Sequence, residues 1–256
     1  MDLSQLARTG FVIYHRATCQ NATRAALIYH RRRNCLAEST ESHSRLAYLR
    51  LESLIVTLKL APASMVTEKE LIALAGLGRT PVREAIQKLE WQGLIAVRPR
   101  AGLQVTALDP SHPDMIYQAR RQLEPLAARL VAGHIDDGAR QALIVCAKSM
   151  TECSVTGDKP GFLDADKLFD EIIERACPNP FLIQSLSALQ THARRYWFHV
   201  ADDRALDMSV NLHVKVIRAL LQKDADGAES AMLELIEGMA APSLQQGSQV
   251  DGQDAL

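Results

Sequence analysis

The chain has 256 residues, 47% hydrophobic and 23% charged, with a formal net charge of −1. That composition suits an ordinary soluble protein with room for two modest domains. It excludes a membrane span, because no apolar run approaches roughly 18 residues, and the short stretch FVIY at 11–14 is too small for the apolar region of a signal peptide. Five scattered cysteines, Cys19, Cys35, Cys146, Cys153 and Cys177, form no CxxC pair, so neither a disulfide framework nor a zinc ribbon is expected and the setting is a reducing cytoplasm.

Residues 1–43 carry HRRRN near their end and no sustained period. They read as a poorly ordered basic extension or, alternatively, as sequence ahead of the true start. SRLAYLRLESLIVTLKL, 44–60, predicts a helix with Leu46, Leu49, Ser53, Val56 and Leu60 on its inner face, ended by APAS. Thr67 with Glu70 three residues on is a capping box, and Val66 with Leu71 forms a hydrophobic staple, so a second helix runs to about Ala75. GLG then makes a tight turn. A third helix is expected with Thr80 as N-cap and Pro81 at its first position, burying Val82, Ala85, Ile86 and Leu89 and turning Arg83, Glu84, Gln87 and Lys88 outward. LIAV and LQVTAL are short strands around RPRAG, a hairpin with Arg98 and Arg100 at its tip.

The fold class expected is mainly α: a winged helix-turn-helix over residues 44–108, a linker at 109–112, an all-α bundle of about six or seven helices over 113–241, and a polar, disordered tail at 242–256. Charge follows the same division. Residues 44–108 hold nine Lys and Arg against five Asp and Glu, whereas 109–256 hold fourteen against twenty-two. A polyanion is attracted to the first segment and repelled by the second, which points to double-stranded DNA as the partner of the first. An arginine at a helix N-terminus can bind guanine O6 and N7 or clamp a phosphate, and Arg79 and Arg83 stand at such a position. Lys69, Arg98 and Arg100 can add backbone contacts, and Gly102 lets the hairpin pass close to the duplex.

Residues 46–108 resemble throughout the DNA-binding domain of the GntR family of bacterial transcription regulators. GRTPVREAIQKLEWQGL carries that family's R-T-P-V-R-E-A-(L/I) signature and RAG its wing glycine. The resemblance implies that Lys69, Arg79, Thr80, Arg83 and Gly102 fall on DNA-contacting positions. Two departures stand out: APAS lacks the glycine usual after the proline, and Gly78 replaces a common Ser or Thr, which removes one phosphate contact.

QARRQLEPLAARL, LDADKLFDEII, CPNPFL and NLHVKVIRALLQKDADGAESAMLEL are similar, in order and spacing, to the FCD type of ligand-binding domain that marks the FadR subfamily. The resemblance implies a homodimeric regulator responding to a small-molecule effector, an organic or sugar acid or an acyl compound, often beside a divalent metal. The implied metal ligands are an Asp, a His four residues later, and two His from the last two helices. Here Asp166, Asp170 and His213 match three positions, but Asp170 replaces a His, and Leu235 stands at the fourth. Either these three hold a hard cation with water and the effector, or the pocket is purely organic. Arg120 flanks a stripe of Ile116, Ala119, Leu123 and Leu126, so its partner is an effector carboxylate or an internal Asp166 or Asp170. Asn179, in the turn before the next helix, is a further pocket candidate. Two other functions stay open: a bundle that only dimerises, and a metal-dependent hydrolase built on Asp166, Asp170 and His213. No nucleophile, base and orienting group accompany the latter.

Overall fold

The first expected helix forms as α1, His43–Val56, and stops one turn short of Leu60. Leu58 takes φ +57 and returns the chain so that Leu60 N bonds Leu54 O at 2.9 Å, and Leu60 is still buried. The buried face differs in part from the expected one: Val56 is buried as expected, but Ala47, Tyr48, Leu51, Glu52 and Ile55 also point inward, Leu46 and Leu49 are half-buried, and Ser53 is exposed. Apolar residues lie on nearly every side of this helix, so spacing alone does not select one stripe. This is a computed structural model, which describes residues 42–100 and 102–250, with side chains to 240. The basic extension, apart from its last two residues, lies outside the described residues.

Thr67 caps α2, Glu68–Ala75, through the reciprocal bonds expected with Glu70, and Val66 and Leu71 are both buried. Gly76 ends it at φ +61, a left-handed position open to a residue without Cβ. The next helix, α3, spans Arg79–Trp91. Its N-cap is Gly78 and not Thr80, and no side chain caps it. Pro81 therefore sits inside the first turn, where its missing N–H still costs nothing. Val82, Ala85, Ile86 and Leu89 are buried as expected.

β1, Met65–Val66, β2, Ile95–Arg98, and β3, Gly102–Val105, form an antiparallel sheet in the order β1-β3-β2. β1 is absent from the sequence reading because two residues carry no alternation. Register pairs Arg98 with Gly102, which leaves Arg100 at the turn with φ +64 and places Arg98 at a strand end, its Nε donating to Gln104. Gly102 has φ +105.

Six helices follow: α4 His112–Ala132, α5 Asp137–Thr156, α6 Lys159–Ala176, α7 Pro180–Val200, α8 Asp203–Gln222 and α9 Ala225–Val250. The backbone of α9 continues helical past Pro242 to Val250, where an unstructured tail is expected; its Leu and Gln residues have high helix propensity. Two compact units emerge. One gathers Gln122–Ile183 and Asp202–Gly238; the other gathers the described chain up to Arg121, Gln184–Ala201 and the chain from Met239. Most of α7 therefore folds with the winged helix.

Candidate nucleic-acid interface

α3 buries its apolar stripe, so its opposite face and its N-terminus are left to solvent. Lys69, Arg79, Thr80, Arg83, Arg98, Arg100 and Gly102 are all exposed. They lie on α2, α3 and the hairpin in that order. One residue that the sequence reading did not single out joins them. Glu68 accepts from Arg79 Nε at 2.8 Å and from Arg83 Nε at 3.0 Å, and the two guanidinium groups, Arg79 first, hold its carboxyl below the usual range.

The winged helix is gripped by one face of α7. Ser187, Thr191 and Arg195 recur every four residues, with His192 and Tyr196 beside them. Thr191 Oγ1 donates to the buried Glu52 at 2.9 Å, and so does the Tyr48 hydroxyl at 2.8 Å. His192 Nε2 donates at 2.7 Å to the carbonyl of Gln92, the C-cap of α3. Arg195 donates from Nη1 to Thr106 Oγ1 at 3.0 Å and from Nη2 to Thr106 O at 2.6 Å, while Thr106 N bonds Leu94 O across the base of the hairpin. Tyr196 donates to Asp109 O in the linker. Arg195 is 1% exposed and its Nε has no partner among the described residues, and burial pulls its pKa down. The signal for this strip was present in THARRY, a run of polar residues in a helix too buried to be solvated. Reading it required knowing which neighbour covered it.

In the other unit, Asp166 and His213 meet. His213 Nε2 lies 2.8 Å from Asp166 Oδ1 and Nδ1 lies 2.7 Å from Ser209 O, with Phe162 and Phe169 edge-on to the ring at 5.6 and 5.3 Å. Both ring nitrogens thus face oxygen acceptors. Asp170 is buried as well, and burial, then Asp166, then Asp170, push the Cys146 thiol up. Leu235 is buried as expected, in an apolar face with Ala231, Met232 and Met239. Among the described residues no three His, Cys, Asp or Glu side chains form a group able to hold a metal ion. Asp166 and His213 face one another, Asp170 lies one turn on along the same helix, and a leucine stands at the fourth position.

Two other candidates have structural duties. Asn179 Oδ1 accepts from Leu182 N in the first turn of α7. Arg120 is not at the edge of its stripe but within the buried face, beside Ile116 and Tyr117, while Leu126 is exposed; its guanidinium lies over the Tyr117 ring at 5.4 Å. Arg120 belongs to the unit with the winged helix, and Asp166, Asp170, Asn179 and His213 belong to the other.

A family model described as bacterial regulatory proteins, gntR family, matches residues 44–105, and an FCD domain model matches 115–238. The chain is 31% identical over 131 residues to an HTH-type transcriptional regulator from the TAR-I ttuE-ttuC' intergenic region of Agrobacterium vitis, covering 50% of this chain and 76% of that protein. The chain belongs to the GntR family. This GntR-family protein, with its FCD domain, is a DNA-binding transcription regulator and not an enzyme. It is also 26% identical over 187 residues to the HTH-type transcriptional repressor RspR of Escherichia coli K12, covering 72% of this chain and 81% of RspR. The structure of E. coli McbR/YncC shares the fold, with a TM-score of 0.71, 21% identity, and coverage of 81% of this chain and 99% of that one. No helix among the described residues is long and apolar enough to cross a membrane.

Proposed function

We propose that this GntR-family regulator binds its operator as a homodimer in the cytoplasm and that a small organic or sugar acid in its FCD domain modulates the binding. Arg79, Thr80 and Arg83 at the start of α3 enter the major groove, Lys69 and Arg98 contact the backbone, and Arg100 with Gly102 brings the wing tip against the duplex. The observation that carries this reading is the placement of those seven residues, all exposed, on three successive elements whose apolar sides are buried. Modulation is supported by α7, which lies within the FCD segment yet grips the C-cap of α3 and the base of the wing. An effector acts only if it binds the DNA-competent and incompetent arrangements differently.

Asp166, Asp170 and His213 are the effector contacts of this reading, without a metal between them. Asn179 contributes beyond its capping bond, and Arg120 is an effector contact of its own unit. A second reading, a helical domain that only dimerises, is favoured by Leu235 and by the mutual satisfaction of Asp166 and His213. Thermal denaturation with a panel of small carboxylic and sugar acids separates the two. One acid that raises the transition temperature and changes operator affinity supports modulation; a panel that leaves both unchanged supports dimerisation alone.

A further inference from the structure

Glu68 is the first residue of α2, and its side chain reaches across to α3. Its carboxylate bridges two guanidinium groups, one bond from Arg79 Nε and one to each oxygen from Arg83 Nε. The arginine side chains are 70% and 56% exposed, and among the described residues they make no other hydrogen bond or ion pair. Because the bonds run through Nε, the terminal Nη1 and Nη2 of both forks stay open, and those nitrogens can face a guanine edge.

We propose that Glu68 is a specificity-determining residue, holding Arg79 and Arg83 with their terminal nitrogens presented to bases while cancelling one of their two positive charges. The proposal rests on the reading that both arginines contact DNA. Non-specific binding is almost wholly the neutralisation of phosphates by basic side chains, so a carboxylate between two arginines weakens it directly. Sequence-specific binding depends on how the forks are oriented, and the same carboxylate fixes that. Both effects raise the ratio of operator to random-sequence affinity. An acidic residue in a first helical turn also favours its helix dipole, but that role changes stability and leaves the ratio alone.

The test uses the full-length protein, an operator selected by it from a random duplex library, and a random duplex of equal length, with affinities measured by fluorescence anisotropy across a salt series. Glu68→Gln should bind the random duplex several-fold more tightly, steepen the salt dependence there by about one phosphate contact, and lower the operator-to-random ratio about tenfold. In an Arg83→Ala background the effect on the ratio should fall to less than half, since its route is then partly removed. An unchanged ratio and salt slope in Glu68→Gln, with Arg79→Ala and Arg83→Ala still weakening operator binding, overturns the proposal and leaves the DNA-contact reading intact. An undiminished effect in the Arg83→Ala background overturns it too. Arginine variants that bind the operator normally overturn the DNA-contact reading and the proposal together.

Discussion

Replacing Arg195 by Met removes the cation through which α7 holds the wing, while keeping most of its apolar stem. The guanidinium makes two hydrogen bonds to Thr106, and bonds to a charged group contribute about 1.5–3 kcal/mol each. Against this stand several kcal/mol for burying a cation and about 1–3 kcal/mol for an unsatisfied N–H, here Nε. The terms nearly cancel, so Arg195→Met should change global stability by no more than about 1 kcal/mol, a shift of roughly 2–4 °C in the thermal midpoint. Locally the result differs. Thr106 closes the hairpin base by bonding Leu94 O, so the amide of Thr106 should exchange its hydrogen faster in the variant than in the wild type. Arg195→Ala, by contrast, should lose about 2–4 kcal/mol, because the missing stem leaves a cavity. Calorimetry with amide hydrogen exchange reads both quantities. A Met variant destabilised by more than about 3 kcal/mol would show that the buried cation has compensation, and unchanged exchange at Thr106 would refute the grip of α7 on the wing.

His192 gives a pH dependence. Burial lowers its pKa, the bond to Gln92 O partly offsets this, and Arg195 and His112 push it down further. Above the unfolded value of about 6.5 both states are neutral and stability is complete; as pH falls through that value the unfolded chain takes the proton first, so stability is lost. Urea midpoints should fall more between about pH 7.5 and 5.5 for the wild type than for His192→Gln, and equal falls would exclude His192. His213→Ala removes the ring that bonds Asp166 and packs edge-on against Phe162 and Phe169, and should cost about 2–4 kcal/mol, read as a lower thermal midpoint. Elemental analysis of protein purified without chelator should find no stoichiometric zinc, because the donors present are too few and too hard; one zinc per chain would contradict the assignment of Asp166 to His213.

Much of the DNA-binding domain was legible because its signals are local. The Thr67 capping box, the Gly76 turn and the stripe of Val82, Ala85, Ile86 and Leu89 each depend on residues within a few positions. The N-cap of α3 was misplaced because Thr80 has the favoured side chain, yet Gly78 takes the extended backbone that a cap needs without one. What sequence did not show is held by distant pairs. Glu68 meets Arg79 and Arg83 across a turn, and Thr191 reaches Glu52 across 139 positions. Nothing in the neighbours of Arg195 along the chain says that Thr106 covers it. In the FCD segment, the resemblance implied one site for Asp166 and His213, but only their 2.8 Å contact shows that the two side chains meet.

Footprinting on the upstream region of the protein's own gene, with and without a panel of small carboxylic and sugar acids, tests the central claim most directly. Two protected half-sites about one helical turn apart, weakened by salt and lost for Arg83→Ala, are expected, with one acid altering the protection. Protection no stronger than on random DNA, or protection that persists in Arg83→Ala and ignores every acid, would contradict operator reading by α3 and its control from the helical domain.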